Sequence, residues 1–165
     1  MPASPADLFT YLDTLGLAHS TVEHAATFTV EEGRHLKASM PGGHTKNLFM
    51  KDKDGTIVLI SAWSESQLKL NQLHKFIGTR RLSFASAELM LDCLGVAPGS
   101  VTAFALMNDT DQRVRFIADA ALMGFDTVNF HPLVNTATTA ISQADFRRFV
   151  AATGHALTEV DFSSL

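Results

Sequence analysis

The chain has 165 residues, of which 46% are hydrophobic and 18% charged, as is typical of one globular domain. Its net charge of −4 argues against a general nucleic-acid binder, and its single cysteine excludes an internal disulfide. Since we find no apolar run long enough to span a membrane and no signal-peptide pattern, we expect one cytoplasmic domain over residues 1–165 and no membrane partner.

Capping residues, apolar spacing and turn residues predict alternating helices and strands. In chain order the predicted elements are a helix capped at Ser4 and ended by Gly16, a strand carrying His19 and His24, a helix at 30–37, hairpin strands at 46–51 and 56–62, a helix capped at Ser64, a helix at 86–94, hairpin strands at 101–107 and 113–117, strands at 127–130 and 137–141, a helix capped at Ser142, and a strand at 157–160. Hairpin-joined strands mixed with helices favour a mixed α/β fold over a regular parallel array.

The sequence lacks the common local signatures of a glycine-rich phosphate loop, a nucleophile elbow and an HExxH metal site. Its seven histidines are dispersed, and no metal is expected. Cys93 lies among apolar residues and is predicted to be a core residue. Asp109 and Asp111 flank a predicted turn, where we expect both carboxylates to be solvated.

Charge is distributed unevenly along the chain. Residues 34–81 hold nine of the 13 basic residues and three of the 17 acidic ones, which gives +6 there and −10 over the remainder. Such a segment can focus a polyanion onto one face of a protein. The alternative is that these basic residues are scattered over the surface of the folded protein and form no basic face.

Three segments carry residues suited to a site. The first, residues 41–49, places Lys46 and Asn47 just after a Gly-Gly turn at the start of a strand. A lysine at that position either contacts phosphate as a point charge or is a solvated strand end.

The second segment, residues 95–103, has two glycines and a proline before a predicted strand. It either exposes backbone groups at a pocket rim or simply connects two elements. The third segment, residues 129–141, has His131 before a proline, followed by a run of threonines and alanines. Small β-formers of this kind either line a tight cavity or form an ordinary solvated strand.

Together these segments resemble the YbaK/ProX family of trans-editing aminoacyl-tRNA deacylases. The matching runs are Lys46-Asn47-Leu48-Phe49-Met50-Lys51-Asp52, Gly99-Ser100-Val101-Thr102, and Phe130-His131-Pro132-Leu133 with residues 135–141. The last run is the most specific and is more similar to the ProXp-ala (PrdX) branch than to the cysteine-specific YbaK branch. Because the family is related to the editing domain of bacterial prolyl-tRNA synthetase, the resemblance implies a mixed, barrel-like β-sheet flanked by helices.

The resemblance also implies roles for individual residues. Lys46 matches a lysine implied to contact phosphate near the terminal adenosine, Gly99 a glycine whose backbone places substrate or water, and His131 a histidine at the aminoacyl ester. The residues implied to bind substrate beside them are Asn47, Ser100, Thr102, Asn135 and Thr136. Ala103 replaces the proline that closes the family's glycine loop, which puts the geometry of that loop in question.

The implied activity is hydrolysis of mischarged Ala-tRNA(Pro) in trans, with no metal or cofactor. The implied partners are the acceptor 3′ end of tRNA and prolyl-tRNA synthetase. An aminoacyl ester is already reactive, so a site that positions water and stabilises negative charge suffices. The alternatives are a deacylase for tRNA carrying cysteine or serine, a tRNA- or synthetase-binding relative that does not hydrolyse, and a globular protein whose motifs are structural.

Overall fold

The computed structural model describes residues 2–26 and 29–164. The helices are α1 (Pro5–Thr14), α2 (Val30–Ser39), α3 (Leu73–Ile77), α4 (Ala87–Leu94), α5 (Ala120–Met123) and α6 (Gln143–Ala152). The strands are β1 (His19–Glu23), β2 (Gly43–Lys51), β3 (Ile57–Trp63), β4 (Ser83–Phe84), β5 (Val114–Asp119), β6 (Thr127–Phe130), β7 (Ala137–Ser142) and β8 (Leu157–Val160). None of the helices formed by these residues is long and apolar enough to cross a membrane.

Side-chain caps fix the helix starts that the sequence predicts. The Ser4 hydroxyl accepts a hydrogen bond from the Asp7 backbone at the start of α1, and the Asp7 carboxylate accepts one from the Ser4 backbone. Thr29 and Glu32 form the same reciprocal pair at the start of α2. Each pair satisfies backbone donors that the first helical turn leaves without a partner. These two predicted helix starts are confirmed.

An eight-stranded mixed sheet forms the centre of the fold. Its strand order is β1-β7-β6-β2-β3-β5-β8, with β4 attached to β2. The pairs β1–β7, β6–β7, β2–β3 and β2–β4 are antiparallel, whereas β2–β6, β3–β5 and β5–β8 are parallel. The mixed α/β fold with helices flanking a mixed sheet is confirmed, and so is the hairpin of β2 and β3 around residues 52–55.

Strand β2 has three partner strands because two of them share one of its edges. Strand β3 pairs with residues 45–51 along the first edge. On the second edge β6 pairs with residues 43–44 and β4 pairs with residues 50–51. Residues 45–49 of β2 therefore lie between two strands that diverge from the same edge.

Two apolar clusters cover the two faces of the sheet. Successive side chains of a strand point to opposite faces, so Phe49 belongs to the larger cluster and Met50 to the smaller one. The larger cluster contains a group of phenylalanines that pack edge to face, including Phe104 against Phe130 and Phe149 at centroid distances of 5.4 and 5.3 Å. Cys93 is buried in this cluster, as predicted.

The predicted strand at 101–107 is wrong. Thr102 caps a 3-10 helix at Ala103–Asn108, and its hydroxyl accepts a hydrogen bond from the backbone of Phe104 at 3.3 Å. A short apolar run has the same pattern in a buried strand and in a buried helix, and here the helix is formed. Ala103 takes the first helical position, where proline is also favoured, so the local geometry accommodates either residue.

The helix predicted to be capped at Ser64 begins several residues later. The Ser64 backbone donates to the carbonyl of His44 at 2.7 Å, which prolongs the contact between the strands. A 3-10 turn at Leu70–Gln72 then leads into α3. Because its backbone N–H group is bonded to β2, Ser64 continues the strand pairing and does not begin a helix.

The expectation of a solvated Asp109 is also wrong, because its side chain is buried. Its carboxylate accepts hydrogen bonds from the backbone N–H groups of Arg113 and Val114 at 3.1 and 2.9 Å. The buried ring of His155 lies 2.8 Å from the same carboxylate. Asp109 thereby ties the start of β5 to the segment that follows α6.

We expect Asp109→Ala to lower the free energy of unfolding by about 3 kcal/mol, because two backbone N–H groups and the buried ring of His155 lose their acceptor. Urea denaturation followed by circular dichroism measures this loss. Asp111→Ala, at an exposed position two residues away, is the matched control. Equal stability of the two variants would contradict the structural role of Asp109.

Candidate functional site

Lys46 lies in the part of β2 between the diverging strands, and its ammonium is held by a backbone carbonyl. The Lys46 Nζ donates to the carbonyl oxygen of Ser66 in the turn after β3. The hydroxyl of Ser66 donates to Asp119 Oδ2 at 2.5 Å, and Asp119 also accepts from the backbone of Trp63 at 3.1 Å. The buried carboxylate of Asp119 therefore holds this turn in place, and the Ser66 carbonyl of the turn holds the Lys46 ammonium.

Asn47 points to the opposite face of the sheet from Lys46, because neighbouring side chains alternate along a strand. Its Oδ1 accepts from the hydroxyl of buried Ser61 at 2.5 Å. Its Nδ2 lies 3.4 Å from the hydroxyl oxygen of Thr45. The two adjacent residues of the motif thus have different surroundings, and Asn47 belongs to a polar cluster on the face of the larger core.

His131 follows β6 and is held by the next strand. Its Nδ1 donates to the carbonyl of Ala137 at 3.1 Å. Burial lowers the pKa of His131 below its ordinary value of 6.5, and the nearby ring of His24 lowers it further. The ring is therefore neutral at pH 7, and since Nδ1 carries the proton, Nε2 presents a lone pair.

A cavity of 160 Å³ opens beside His131. Its wall includes His44 and Thr45 from β2, Asn129 from β6, and Thr138 from β7. Burial also lowers the pKa of His44, whose Nε2 donates to the carbonyl of Met40 at 2.8 Å. The part of α2 with Gly33, Leu36 and Lys37 closes the other side. The cavity is thus narrow and mostly apolar in surface, with neutral polar groups at several points and one charged side chain, Lys37.

A larger cavity of 530 Å³ lies next to the small one, between α1, β1 and the 132–137 segment. Thr136 lines it, together with His24. The two cavities share a wall, because His24 Nε2 lies 2.8 Å from the Thr138 hydroxyl oxygen and the His24 backbone donates to the Thr136 carbonyl at 2.9 Å. The threonine-rich segment therefore contributes to both cavities, with Thr136 in the larger one and Thr138 in the smaller one.

The glycine loop approaches the same segment. Gly99 has φ +92°, a left-handed conformation that favours glycine, and a side chain there would lie 3.6 Å from the Asn135 amide nitrogen. The Ser100 backbone donates to the Ala97 carbonyl at 3.0 Å, which closes the turn. Thr102 is fully buried and uses its hydroxyl as a helix cap. The Gly99 loop therefore lies next to Asn135 in the 129–141 segment. The hydroxyl of Thr102, however, is occupied by the helix cap.

The structure adds residues that the motif analysis did not single out. His44 and Asn129 line the small cavity, and Ser66 and Asp119 position Lys46. Asp119 had a signal in the sequence, since it is a charged residue at the end of an apolar strand. His44 and Asn129 lie within the motif segments at 41–49 and 129–141, but only the pairing of β2 with β6 shows that they meet. Among the described residues, no three histidine, cysteine or acidic side chains form a group able to hold a metal.

Comparison with known proteins shows the family of this chain. A profile of the aminoacyl-tRNA editing domain matches residues 24–149. Prolyl-tRNA synthetase associated domain-containing protein 1 of Mus musculus is 39% identical over 155 residues, 91% of each chain. Prolyl-tRNA editing protein ProX of Acetoanaerobium sticklandii is 30% identical and covers 91% of this chain and 92% of its own.

A solved structure has the same fold. It is described as a candidate trans-editing enzyme for prolyl tRNA synthetase and superimposes with a TM-score of 0.68 at 20% identity, covering 98% of this chain and 99% of that one. The chain therefore belongs to the aminoacyl-tRNA editing domain family. Its similarity to ProX supports trans-editing of aminoacyl-tRNA as its general function.

The lowered pKa values of His131 and His44 predict a pH-dependent stability. Just below pH 6.5 the unfolded chain binds more protons than the folded protein, so stability is fully present above that value and falls as the pH drops toward the lowered pKa. We expect the urea midpoint to decrease between about pH 7.5 and about pH 5.5. His131→Gln should reduce the decrease, whereas the exposed His35→Gln controls for loss of an imidazole. An unchanged slope in His131→Gln would contradict the assignment.

Proposed function

We propose that this protein deacylates mischarged aminoacyl-tRNA in trans and that Ala-tRNA(Pro) is its substrate. The observation that carries this proposal is the neutral, half-buried His131 beside a cavity of 160 Å³. That volume is below the roughly 300–1,000 Å³ typical of small-molecule sites, which suits a very small side chain. Membership of the editing-domain family makes an aminoacyl ester the expected substrate.

His131 is proposed to act as a general base. Its Nε2 accepts a proton from water as the water oxygen attacks the ester carbonyl carbon. The bond from that carbon to the ribose oxygen then breaks, the ribose oxygen receives a proton, and alanine leaves with a free carboxylate. The hydrogen bond from Nδ1 to the Ala137 carbonyl keeps the imidazole in the tautomer that this step needs.

Lys46 is proposed to bind phosphate near the terminal adenosine. Its ammonium is held by one carbonyl oxygen, from Ser66, and an ammonium has three donors, so it can bind phosphate as well. The Gly99 turn is proposed to place substrate or water through its backbone, next to Asn135. The acceptor 3′ end of tRNA would then lie along the side of the fold where β2 meets the 130–137 segment.

Discrimination by size explains why a separate editing protein is useful. Alanine fits any pocket built for proline, so a synthetase cannot exclude it by size. A second, smaller pocket admits alanine and rejects proline. Thr45 and Thr138, in the wall of the small cavity, limit its width. Cysteine and serine are the next smallest candidates for the same pocket.

A second candidate function is binding without hydrolysis. It is favoured by the naming of the Mus musculus relative, which refers to association with prolyl-tRNA synthetase rather than to catalysis. In that case the protein would bind tRNA or prolyl-tRNA synthetase in the cytoplasm without hydrolysing an ester. The binding of tRNA would still depend on salt, because contacts to phosphate release counterions.

We expect Lys46→Ala to lower kcat/KM for Ala-tRNA(Pro) by about 100-fold, because an ordered cationic contact to the substrate is lost. Single-turnover deacylation of radiolabelled Ala-tRNA(Pro) measures the effect, with circular dichroism as a test of folding. Lys53→Ala, which removes an exposed lysine in the β2–β3 turn, is the matched control. Full activity of Lys46→Ala would exclude its proposed role.

We expect the purified protein to deacylate Ala-tRNA(Pro) at least about 100-fold faster than Pro-tRNA(Pro), as a size-limited pocket predicts. Cys-tRNA(Pro) and Ser-tRNA(Pro), assayed alongside, decide between the possible amino acids. Faster loss of cysteine or serine would replace alanine in the proposal. If no ester is hydrolysed at protein concentrations that bind tRNA, the binding function is correct.

A further inference from the structure

We infer that the small cavity recognises the α-ammonium group of the aminoacyl ester, so that the protein accepts esters with a free α-amino group and rejects N-acylated ones. This inference rests on the proposed function, because it concerns the same cavity. The observation behind it is a set of hydrogen-bond acceptors in an otherwise mostly apolar wall, one of which is buried and lacks a partner within the part of the chain that the structure describes.

The acceptor without a partner is Oδ1 of Asn129. This residue is 1% exposed and lines the small cavity. Its Nδ2 lies 3.3 Å from the carbonyl of Pro41 and 3.4 Å from that of Gly43, and since carbonyls only accept, the orientation of the amide is fixed. Buried polar groups in proteins are nearly always paired, so an unpaired one in a cavity wall points to a bound donor.

Two imidazole rings present acceptors to the same space. His131 uses Nδ1 to donate to a carbonyl, and His44 uses Nε2 in the same way. In a neutral ring the other nitrogen then carries a lone pair, so each ring offers one acceptor. Both residues line the small cavity.

Two hydroxyl oxygens add to this set. Thr45 donates its proton to the backbone carbonyl of Asn129 at 2.8 Å. The Thr138 hydroxyl oxygen lies 2.8 Å from Nε2 of His24. Both threonines line the cavity and keep lone pairs to offer a ligand.

The side-chain donors in the wall are Ser64 and Lys37. A serine hydroxyl can rotate and serve as an acceptor too. Lys37 is exposed on α2, where water weakens its charge without removing it, since that charge still contributes to lowering the pKa of His44. The buried acceptors therefore fit a group with several donors and no lone pair, which is the α-ammonium of an amino acid. An acyl group on that nitrogen would remove its positive charge and increase its volume. The carbonyl oxygen of the acyl group would also face the acceptors of the cavity wall, with which it cannot form hydrogen bonds.

The test compares three esters of the same tRNA: Ala-tRNA(Pro), N-acetyl-Ala-tRNA(Pro), and lactyl-tRNA(Pro), in which a hydroxyl replaces the ammonium. We expect kcat/KM to fall by at least about 100-fold for the N-acetyl ester and by a smaller factor for the lactyl ester. Asn129→Leu should slow Ala-tRNA(Pro) more than the lactyl ester, because the ammonium loses a charge-assisted hydrogen bond, whereas the hydroxyl has one proton that another acceptor of the wall can take. Thr138→Val repeats the comparison if Asn129→Leu does not fold, and Thr158→Val, at an exposed position on β8, is the control.

Equal rates for the alanyl and N-acetylalanyl esters, or equal losses on the alanyl and lactyl esters in the variant, would overturn the inference. If no ester is hydrolysed, the proposed activity fails separately. A binding experiment then decides, with adenosine carrying alanine in a non-hydrolysable 3′ amide and its N-acetyl derivative as probes. Binding of the first alone supports ammonium recognition, and equal or absent binding of both overturns it.

Discussion

The candidate site depends on how strand β2 shares one of its edges. Strand β6 takes residues 43–44 and strand β4 takes residues 50–51, and the two strands then diverge. The motif lysine lies between them, in the middle of a sheet rather than at its end. A regular sheet would place a neighbouring strand along both edges of this stretch.

Buried polar groups in this fold fall into two kinds. Asp109 and Asp119 each accept several hydrogen bonds from backbone and side-chain donors, so their burial is compensated and each fixes a turn. The side-chain oxygen of Asn129 is buried without such compensation from residues 2–26 and 29–164. The first kind stabilises the fold, whereas the second is more typical of a site whose remaining partner is a ligand.

The two cavities suggest how one small domain can handle a large substrate. In the proposed function the narrow cavity, which contacts His131, holds the amino acid, and the larger one shares a wall with it through the contact of His24 with Thr138. Specificity for the amino acid and contact with the nucleic acid would then be set by different residues.

The sequence by itself determined the helix caps, the β2–β3 hairpin, the mixed α/β class and the family, because these depend on local spacing and on runs of adjacent residues. It did not determine the 3-10 helix at Ala103–Asn108 or the burial of Asp109, since an apolar run and a polar turn each have two structural outcomes. Only the tertiary structure brought His44, on β2, beside Asn129 and His131, and Ser66 beside Lys46. Those contacts join strands far apart in sequence, where pairing and burial decide which side chains meet.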